Sequence, residues 1–271
     1  MQTVPFIKMH GIGNDFVVID LRTQKLKLTK ALIHFLCQRN TGIGCDQLVT
    51  ISSTDNQEAD VKVRFYNPDG SESGTCGNAS RCVADLMMKE LDRKKVVLQT
   101  RASILQCERV ANQISVNMGK AAFDWWKVPL SKEADTMHLN IGEYKDGVAL
   151  NVGNPHIVFF VKEVDIINLE VMGPRVEHDP IFPERTNVSI VQILQPNHIK
   201  LRVWERGTGI TLACGSAACA ATVAAHRRGL INTRVDVDLP GGCLNIELTS
   251  EEEIWMTGAV AQVFKGSFEI E

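Results

Sequence analysis

Apolar and polar residues alternate in several short stretches of this chain, a pattern typical of strands with one buried face. The clearest stretches are Val61–Phe65, Ile114–Met118 and Leu201–Val203, in which every second residue is apolar. Turn-forming sequences such as Asp69-Gly70 and Pro240-Gly241-Gly242 occur between stretches of this kind. The pattern predicts β-strands that are joined by short turns.

Three other segments are predicted to be helices. Thr29 is suited to cap the first helix, which we expect to end at Gly42. The second runs from Gly77 to about Lys94, and basic residues gather near its end. The third, Gly215–Arg228, is rich in alanine and is followed by Gly229, which is a C-terminal signal. The predicted apolar face of the first helix consists of Leu32, Phe35 and Leu36.

The chain also repeats itself at a separation of 138 to 140 residues, as its numbering shows. Several segments recur in the same order, which indicates the duplication of one ancestral unit. The two copies meet within residues 119–150, where Pro129 and the polar run 131–136 suit a domain boundary. The matching segments are Gly13–Val18 with Gly153–Val158, Phe65–Gly77 with Val203–Gly215, Val96–Glu108 with Val235–Glu247, and Met118-Gly119 with Thr257-Gly258.

We therefore predict two pseudo-symmetric halves, each with strands around a central helix. Residues 1–119 form the first half and carry Cys76, and residues 120–261 form the second half and carry Cys214. A pseudo-twofold axis would bring the starts of the two central helices face to face. We expect an active site in the cleft between the halves.

Composition and charge exclude several classes of function. The 271 residues include 29 Lys and Arg against 32 Asp and Glu, for a net charge of −3, so the chain lacks the basic surface of a nucleic-acid-binding protein. The chain contains no run of 18 apolar residues, so we predict no membrane span. Met1–His10 lacks the features of a signal peptide, so we expect a cytoplasmic protein.

Eight cysteines call for an explanation. No CxxC pair occurs among them, which argues against a zinc site, and a cytoplasmic protein keeps its thiols reduced. Most of them are expected to be small buried apolar residues. The cysteines are Cys37, Cys45, Cys76, Cys82, Cys107, Cys214, Cys219 and Cys243.

Cys76 and Cys214 occupy equivalent places in the repeat, directly before the first turn of the small-residue helix of each half. A helix N-terminus stabilises a thiolate, and its N–H groups can bind a carboxylate. Two such thiols on opposite sides of one carbon could remove a proton from one face and deliver a proton to the other. This arrangement would invert a stereocentre. Packing at the helix start is the alternative for both cysteines.

A reaction of this kind needs a group that sets the proton balance of the thiol pair. His156 and Glu205 are suited to that role, because both lie within repeated segments. The alternatives are a buried structural histidine and a surface carboxylate.

At these residues the sequence resembles the diaminopimelate epimerase family, and the resemblance covers essentially the whole chain. The two cysteine motifs are highly specific together, whereas the opening motif would be weak by itself. The resembling segments are Met9–Phe16, Phe65–Ser71, Cys76–Asn78, Arg81-Cys82, Gly153–His156, Glu205–Gly209, Ala213–Gly215, Leu239–Gly242 and Met256–Ala259.

The resemblance implies a pyridoxal-independent isomerase that interconverts LL- and meso-diaminopimelate for lysine and peptidoglycan biosynthesis, with no cofactor and no metal. It implies a mixed α/β (α+β) fold in which a curved, mostly antiparallel sheet wraps each central helix, with residues 262–271 joining the first half. It also implies a homodimer. Cys76 and Cys214 match the family's acid and base. Residues matching substrate contacts are Asn14, Gln47, Asn67, Gly77, Asn78, Asn154, Asn187, Glu205, Arg206, Gly215 and Ser216.

Some of these contacts have more specific roles in the family. The N–H groups of Gly77, Asn78, Gly215 and Ser216 match positions that hold the reacting carboxylate. Arg206 is suited to the far carboxylate.

Small departures from the family pattern occur at Ala79-Ser80, Ser216-Ala217, Ile210 and Cys243. They bear on fine specificity rather than on the class of reaction.

Two other functions stay open at this point. A two-thiol racemase or epimerase could act on another amino acid, such as proline, hydroxyproline or histidine. The far-end set of Asn67, Asn187, Glu205 and Arg206 argues against a substrate that lacks a second charged end. A non-catalytic amino-acid-binding module would bind a ligand without exchanging its proton.

Overall fold

The computed structural model of the chain describes residues 2–270. Met1 and Glu271, at the outer ends of the predicted ranges 1–119 and 262–271, lie outside the described residues. The chain divides into two compact units. The first unit extends to Asn117 and resumes at Thr257, and the second is Met118–Met256. No helix in the described range is both long and apolar enough to span a bilayer.

The elements follow one another along the chain as β1 (Gln2–Gly11), β2 (Asn14–Asp20), α1 (Lys30–Cys37), β3 (Gln47–Ser52), β4 (Val61–Tyr66), β5 (Glu72–Ser73), α2 (Gly77–Glu90), β6 (Lys95–Gln99), β7 (Ile104–Val110), β8 (Gln113–Lys120), β9 (Leu139–Ile141), β10 (Tyr144–Asn151), β11 (Pro155–Phe160), α3 (Leu169–Glu177), β12 (Asn187–Gln195), β13 (His198–Glu205), β14 (Gly209–Ile210), α4 (Gly215–Arg227), β15 (Arg234–Leu239), β16 (Gly242–Leu248), β17 (Glu253–Gly258) and β18 (Ala261–Ile270). The borders of the two units fall within β8 and β17.

The two units have the same strand topology. In the first, β1 pairs antiparallel with β2, β2 parallel with β3, β3 antiparallel with β4, β4 parallel with β6, and β6 antiparallel with β7. In the second, the same sequence of pairings joins β10, β11, β12, β13, β15 and β16. Strand β18 extends the first unit by pairing antiparallel with β1. The predicted mixed α/β class, with few helices and mostly antiparallel pairing, is confirmed.

The register of the strands repeats at the separation found in the sequence. Phe16 lies opposite Gln47 between β2 and β3, and His156 lies opposite Asn187 between β11 and β12. The second pair follows the first by 140 residues at both positions. A one-residue slip would turn every side chain of a strand to the other face, so a shared register places equivalent side chains in equivalent surroundings.

Helices α2 and α4 are the central helices of their units. Most residues of each are buried, and each packs against several strands of its own unit. Small side chains allow such close packing on every face of a helix. Helix α4 carries six buried alanines, whereas α2 combines buried alanine and serine with the larger polar side chains of Arg81 and Asp85.

The structure corrects three predictions about α1 and α2, and it contains one helix, α3, that was not predicted. Helix α1 begins after Thr29, whose hydroxyl accepts from the Leu32 N–H at 3.2 Å, but it ends at Cys37 rather than at Gly42. Its buried face is Ile33, Leu36 and Cys37, whereas Phe35 is half exposed. Helix α2 starts at Gly77 as predicted but ends at Glu90, four residues before Lys94. Helix α3 was not predicted, because Gly173 and Pro174 interrupt its helical pattern.

Candidate active site

The two conspicuous cysteines occupy the same structural position in the two units. Cys76 is the N-cap of α2 and Cys214 is the N-cap of α4, and both have an extended backbone. The first carbonyl of each helix is engaged in the normal way, since Ser80 N–H donates to the Cys76 oxygen at 2.8 Å and Ala218 N–H donates to the Cys214 oxygen at 3.1 Å. Both sulfur atoms therefore lie at the positive end of a helix dipole.

In the first unit, polar side chains connect the start of α2 to the β1–β2 turn. The Asn78 amide donates to Asn14 Oδ1 at 3.2 Å, and the Asn14 amide donates to Asp46 Oδ2 at 2.8 Å. Ile12 and Gly13 form the turn with φ values of 49° and 89°. A left-handed conformation is strained for a β-branched residue, and strain of this kind concentrates at functional sites. The turn fixes the position of Asn14 at the start of β2.

A second pair of amides lies at the ends of β3 and β4. Gln47 Nε2 donates to Asn67 Oδ1 at 2.8 Å, and the Asn67 amide donates to the Ser71 hydroxyl at 3.0 Å. Gly70 closes the turn between them with φ +79°, and a Cβ there would lie 2.8 to 3.0 Å from Lys30. The motif Asn67–Ser71 thus builds the turn that orients Asn67.

Strand β1 approaches α2 closely at Gly11. A Cβ at this position would lie 3.1 Å from Nη2 of Arg81 and 3.3 Å from the Asn78 carbonyl oxygen. Arg81 is fully buried in α2, although the sequence marked it only as part of a motif. A buried guanidinium one turn beyond Cys76 adds positive charge beneath the helix start.

In the second unit, a directional series of hydrogen bonds ends on the Cys214 sulfur. His156 Nε2 lies 2.9 Å from Asn154 Oδ1, the Asn154 amide donates to Ser216 Oγ at 3.3 Å, and Ser216 Oγ lies 3.4 Å from Cys214 Sγ. Because an amide oxygen only accepts, His156 must carry its proton on Nε2. The contact with Ser216 lowers the pKa of Cys214, which is the effect of a hydroxyl that donates to the sulfur.

His156 is neutral in this setting. Burial lowers its pKa to about 3, and the positive charge of Arg206 acts in the same direction. Its Nδ1 has no hydrogen-bond partner among residues 2–270. Neutral imidazole with a fixed Nε2 proton is a hydrogen-bond donor to Asn154 rather than a charged group.

The environment of Cys214 favours the thiol form. Burial raises its pKa well above the usual value, and the nearby Glu205 carboxylate raises it further. The Ser216 hydroxyl and the Ala217 N–H oppose this effect. The Thr211 hydroxyl donates to Glu205 Oε1 and so fixes the carboxylate.

Glu205 ends β13 and Arg206 begins the turn that follows. Two buried side chains fix this segment. Asn187 Oδ1 accepts from the Arg206 N–H at 3.0 Å, and its amide donates to the Pro155 carbonyl at 2.8 Å. Glu177, at the end of α3, accepts from the Gly207 N–H at 2.9 Å and from the Trp204 indole at 2.7 Å. The guanidinium of Arg206 is exposed and donates to the Glu184 carbonyl.

Two comparisons with known sequences assign the chain to a family. The model of the family described as diaminopimelate epimerase matches residues 6–123 and 148–263. A diaminopimelate epimerase of Gluconobacter oxydans is 48% identical over 98% of this chain and 99% of its own length. One of Rhodospirillum centenum is 46% identical over 96% of this chain and 91% of its own.

The chain belongs to the diaminopimelate epimerase family. The two segments that match the family model include both cysteines and every side chain described above in their surroundings.

Solved structures with low sequence identity share the fold. A phenazine biosynthesis protein of the PhzF family from Bacillus anthracis has a TM-score of 0.73 at 17% identity, and the match covers 100% of this chain and 100% of that chain. A hydroxyproline epimerase from Agrobacterium vitis with bound trans-4-hydroxy-L-proline has a TM-score of 0.71 at 12% identity, with 98% of this chain and 92% of that chain covered. The fold thus extends beyond the diaminopimelate epimerase family.

Within this member of the family, most site residues come in equivalent pairs at the repeat separation. Two titratable groups of the second unit have no titratable equivalent, because Phe16 stands where the second unit has His156, and Asn67 stands where it has Glu205. The equivalence at these positions shows in the strand pairing. The pairs with like chemistry are Cys76 with Cys214, Asn14 with Asn154, Gln47 with Asn187, and Asn78 with Ser216. The network around Cys214 therefore contains an imidazole and a carboxylate, His156 and Glu205, at positions where the first unit has Phe16 and Asn67.

Several residues of these networks were not predicted from the sequence. Asp46 and Thr211 each bind a predicted site residue, and Glu177 holds Trp204 and Gly207, which flank Glu205 and Arg206. No spacing rule points to them, because their partners lie far away in the sequence or in turns of irregular shape. Within residues 2–270, no group of three or more His, Cys, Asp or Glu side chains is placed to hold a metal ion.

Proposed function

We propose that the chain interconverts LL- and meso-diaminopimelate by removing the proton from one α-carbon and returning a proton to the opposite face. The observation that carries the proposal is the pair of cysteine N-caps on two equivalent buried helices. Membership in the diaminopimelate epimerase family supplies the substrate.

The starts of α2 and α4 are suited to bind the reacting carboxylate. N–H groups in the first turn of a helix lack intrahelical partners, and those of Gly77, Asn78, Gly215 and Ser216 are in that turn. Negative charge spreads onto this carboxylate when the α-proton leaves. Each preorganised donor of this kind contributes about 3 kcal/mol to stabilising such a charge.

The surroundings of Cys214 suit it to hold a proton, since burial and the Glu205 carboxylate raise its pKa. The proposed reaction in this direction then needs Cys76 to act as the base. Cys76 Sγ then removes the α-proton of the isomer that presents it, while Cys214 delivers its own proton to the other face. Both sulfurs exchange roles in the reverse direction.

The Ser216 series of hydrogen bonds serves the step in which Cys214 has lost its proton. The hydroxyl then donates to a thiolate, and charge-assisted hydrogen bonds are stronger than neutral ones. His156 and Asn154 keep that hydroxyl pointing at the sulfur.

The amides and charges at the turns of the two units are suited to read the far end of the substrate. Asn67 and Glu205 suit its ammonium, and Arg206 suits its carboxylate. Gln47 and Asn187 fix these groups in place.

Incubation with LL-diaminopimelate, followed by chiral separation, tests the proposal. Accumulation of the meso isomer, with no change in proline, hydroxyproline or histidine under the same conditions, is the expected result. Turnover of proline in place of diaminopimelate would assign the chain to the two-thiol racemases, and binding without turnover would indicate a binding module. Cofactor independence and a homodimer stay predictions of the family resemblance, and a cytoplasmic location stays a prediction from the sequence. Sedimentation of the purified protein measures its oligomeric state.

A further inference from the structure

Cys37 and Cys45 form a second thiol pair in the first unit, and neither is among the residues assigned above. Cys37 is the last residue of α1, and Cys45 lies in the loop that leads to β3. Their sulfur atoms are 3.5 Å apart, and only 4% and 3% of their surfaces are exposed. The Cys45 N–H also donates to the Cys37 carbonyl at 3.2 Å, so the two backbones lie side by side.

The two sulfurs are not equivalent. Cys45 Sγ–H donates to Cys37 Sγ, and the Leu48 N–H donates to the same acceptor. The buried Lys8 ammonium adds a favourable charge, which Asp15 partly offsets. These contacts lower the pKa of Cys37 despite its burial, whereas the bond to Cys37 and burial raise the pKa of Cys45. Cys37 is therefore the nucleophile of the pair, and Cys45 retains its proton.

We propose that Cys37 and Cys45 are a modification site at which a small peroxide forms a reversible disulfide. The Cys37 thiolate attacks one oxygen of hydrogen peroxide, the O–O bond breaks, and the leaving hydroxide takes up a proton to become water. Cys45 Sγ then attacks the Cys37 sulfenic sulfur, and the expelled hydroxyl leaves as a second water with the thiol proton. Two thiols lose two electrons and two protons, and one peroxide becomes two waters.

The position of the pair links it to the proposed substrate contacts. Disulfide formation shortens the distance between the sulfurs from 3.5 Å to about 2.05 Å, which draws the Cys45 side chain towards the end of α1. The next two residues are Asp46, which accepts from Asn14, and Gln47, which donates to Asn67. Oxidation is therefore expected to lower turnover of diaminopimelate. This link rests on the proposed function, whereas the disulfide itself does not.

Peptide mapping of the full-length protein tests the disulfide directly. Trypsin cleaves after Lys30, Arg39 and Lys62, so Cys37 and Cys45 fall in separate peptides, 31–39 and 40–62. After treatment with hydrogen peroxide and alkylation, we expect these peptides joined, two hydrogen atoms lighter than their sum, and separated again by dithiothreitol. Two results would overturn the inference whatever the substrate is. In one, the joined peptide is absent and either cysteine is oxidised further; in the other, it is absent and both cysteines are still alkylated.

Two variants sharpen the test. Cys45→Ala leaves Cys37 without its partner, so peroxide should give a sulfenic acid that dimedone traps. Cys107→Ala, at another buried cysteine on β7, should form the joined peptide as the wild type does. If peroxide lowers diaminopimelate turnover equally in wild type and Cys45→Ala, the loss comes from other thiols and the link to the substrate contacts is wrong.

Discussion

Ser216 and Glu205 act on the same sulfur in opposite directions. The Ser216 hydroxyl stabilises the thiolate of Cys214, and the Glu205 carboxylate stabilises the thiol. Burial of Cys214 favours the thiol most strongly, and these two side chains adjust that preference in opposite directions.

Two substitutions should therefore move the pKa of Cys214 in opposite directions. Ser216→Ala removes a donor to the sulfur and should raise the pKa, whereas Glu205→Gln removes a negative charge and should lower it. The rate of iodoacetamide alkylation at Cys214 as a function of pH, followed by mass spectrometry, measures both shifts. Shifts of the same sign in the two variants would be inconsistent with the assigned roles.

Substitution of the cysteines tests the two-thiol reaction. Cys76→Ala and Cys214→Ala should each lower kcat/KM for diaminopimelate by about 10³-fold or more, because each removes one of the two proton-transfer groups. Circular dichroism should show both variants folded, since each change removes one atom from a helix start. Epimerisation near the wild-type rate in either variant would rule out the reaction.

The sequence located the two paired cysteines at the helix starts, whereas it did not predict the contacts that surround them. Cys76 and Cys214 were recognised because a repeated motif placed each before a small-residue helix, which is a local signal. The tautomer of His156, the role of Thr211 and the burial of Arg81 depend on atoms from distant parts of the chain. No local pattern encodes those contacts.

At the scale of elements, α3 positions the turn after β13. Gly173 lies so close to Trp204 that a Cβ there would be 2.4 Å from Cγ and Cδ2 of the indole. Glu177 on the same helix holds the Trp204 indole N–H. The side chain that follows Trp204 is Glu205, so the packing of α3 bears on the site.

Gly173→Ala should lower the free energy of unfolding by about 1–3 kcal/mol, because the indole or the helix must move to admit the methyl group. Chemical denaturation measures the loss. Val171→Ala, at a half-exposed position of the same helix, is the control and should change the value by no more than about 0.5 kcal/mol. Equal losses in the two variants would show that the close contact is not what constrains α3.

The boundaries of the elements were predicted less well than their existence. Helix α1 ends five residues before Gly42 because the Gln38 backbone is already extended. Helix α3 contains Pro174 at a position that local preferences disfavour, and tertiary packing of Leu169, Met172 and Val176 overrides them. Packing of this kind cannot be inferred from a single segment.

At the scale of the molecule, the repeat gives two units of one topology with different charges at equivalent positions. Phe16 is fully buried where the first unit needs only an apolar side chain, whereas the equivalent His156 is buried and neutral. The second unit therefore carries a group that is costly to protonate.

This difference predicts a pH dependence of stability. His156 has a pKa of about 3 when folded and about 6.5 when unfolded, so between these values the unfolded chain binds more protons. The contribution of neutral, buried His156 to the free energy of unfolding is complete above pH 6.5, and it is lost as the pH falls towards 3. His156→Phe, which copies the first unit, should remove this term.

Urea denaturation of wild type and His156→Phe at pH 7 and pH 4 measures the effect. The difference in unfolding free energy between the two proteins should change by about 3 kcal/mol in favour of the variant at pH 4. A difference that does not change with pH would show that His156 is not held neutral.

Proton exchange during turnover is the most direct test of the central claim that two thiols invert one carbon. The reduced protein is incubated with LL-diaminopimelate in D₂O, the isomers are separated, and the deuterium content of each is measured by mass spectrometry at early times. Inversion by two thiols predicts one deuterium in each meso molecule formed, with little in the remaining LL isomer. The reason is that one thiol removes the original proton and the thiol on the opposite face delivers the new one. Conversion without incorporated deuterium, or deuterium that enters the LL isomer as fast as the meso isomer forms, would contradict it.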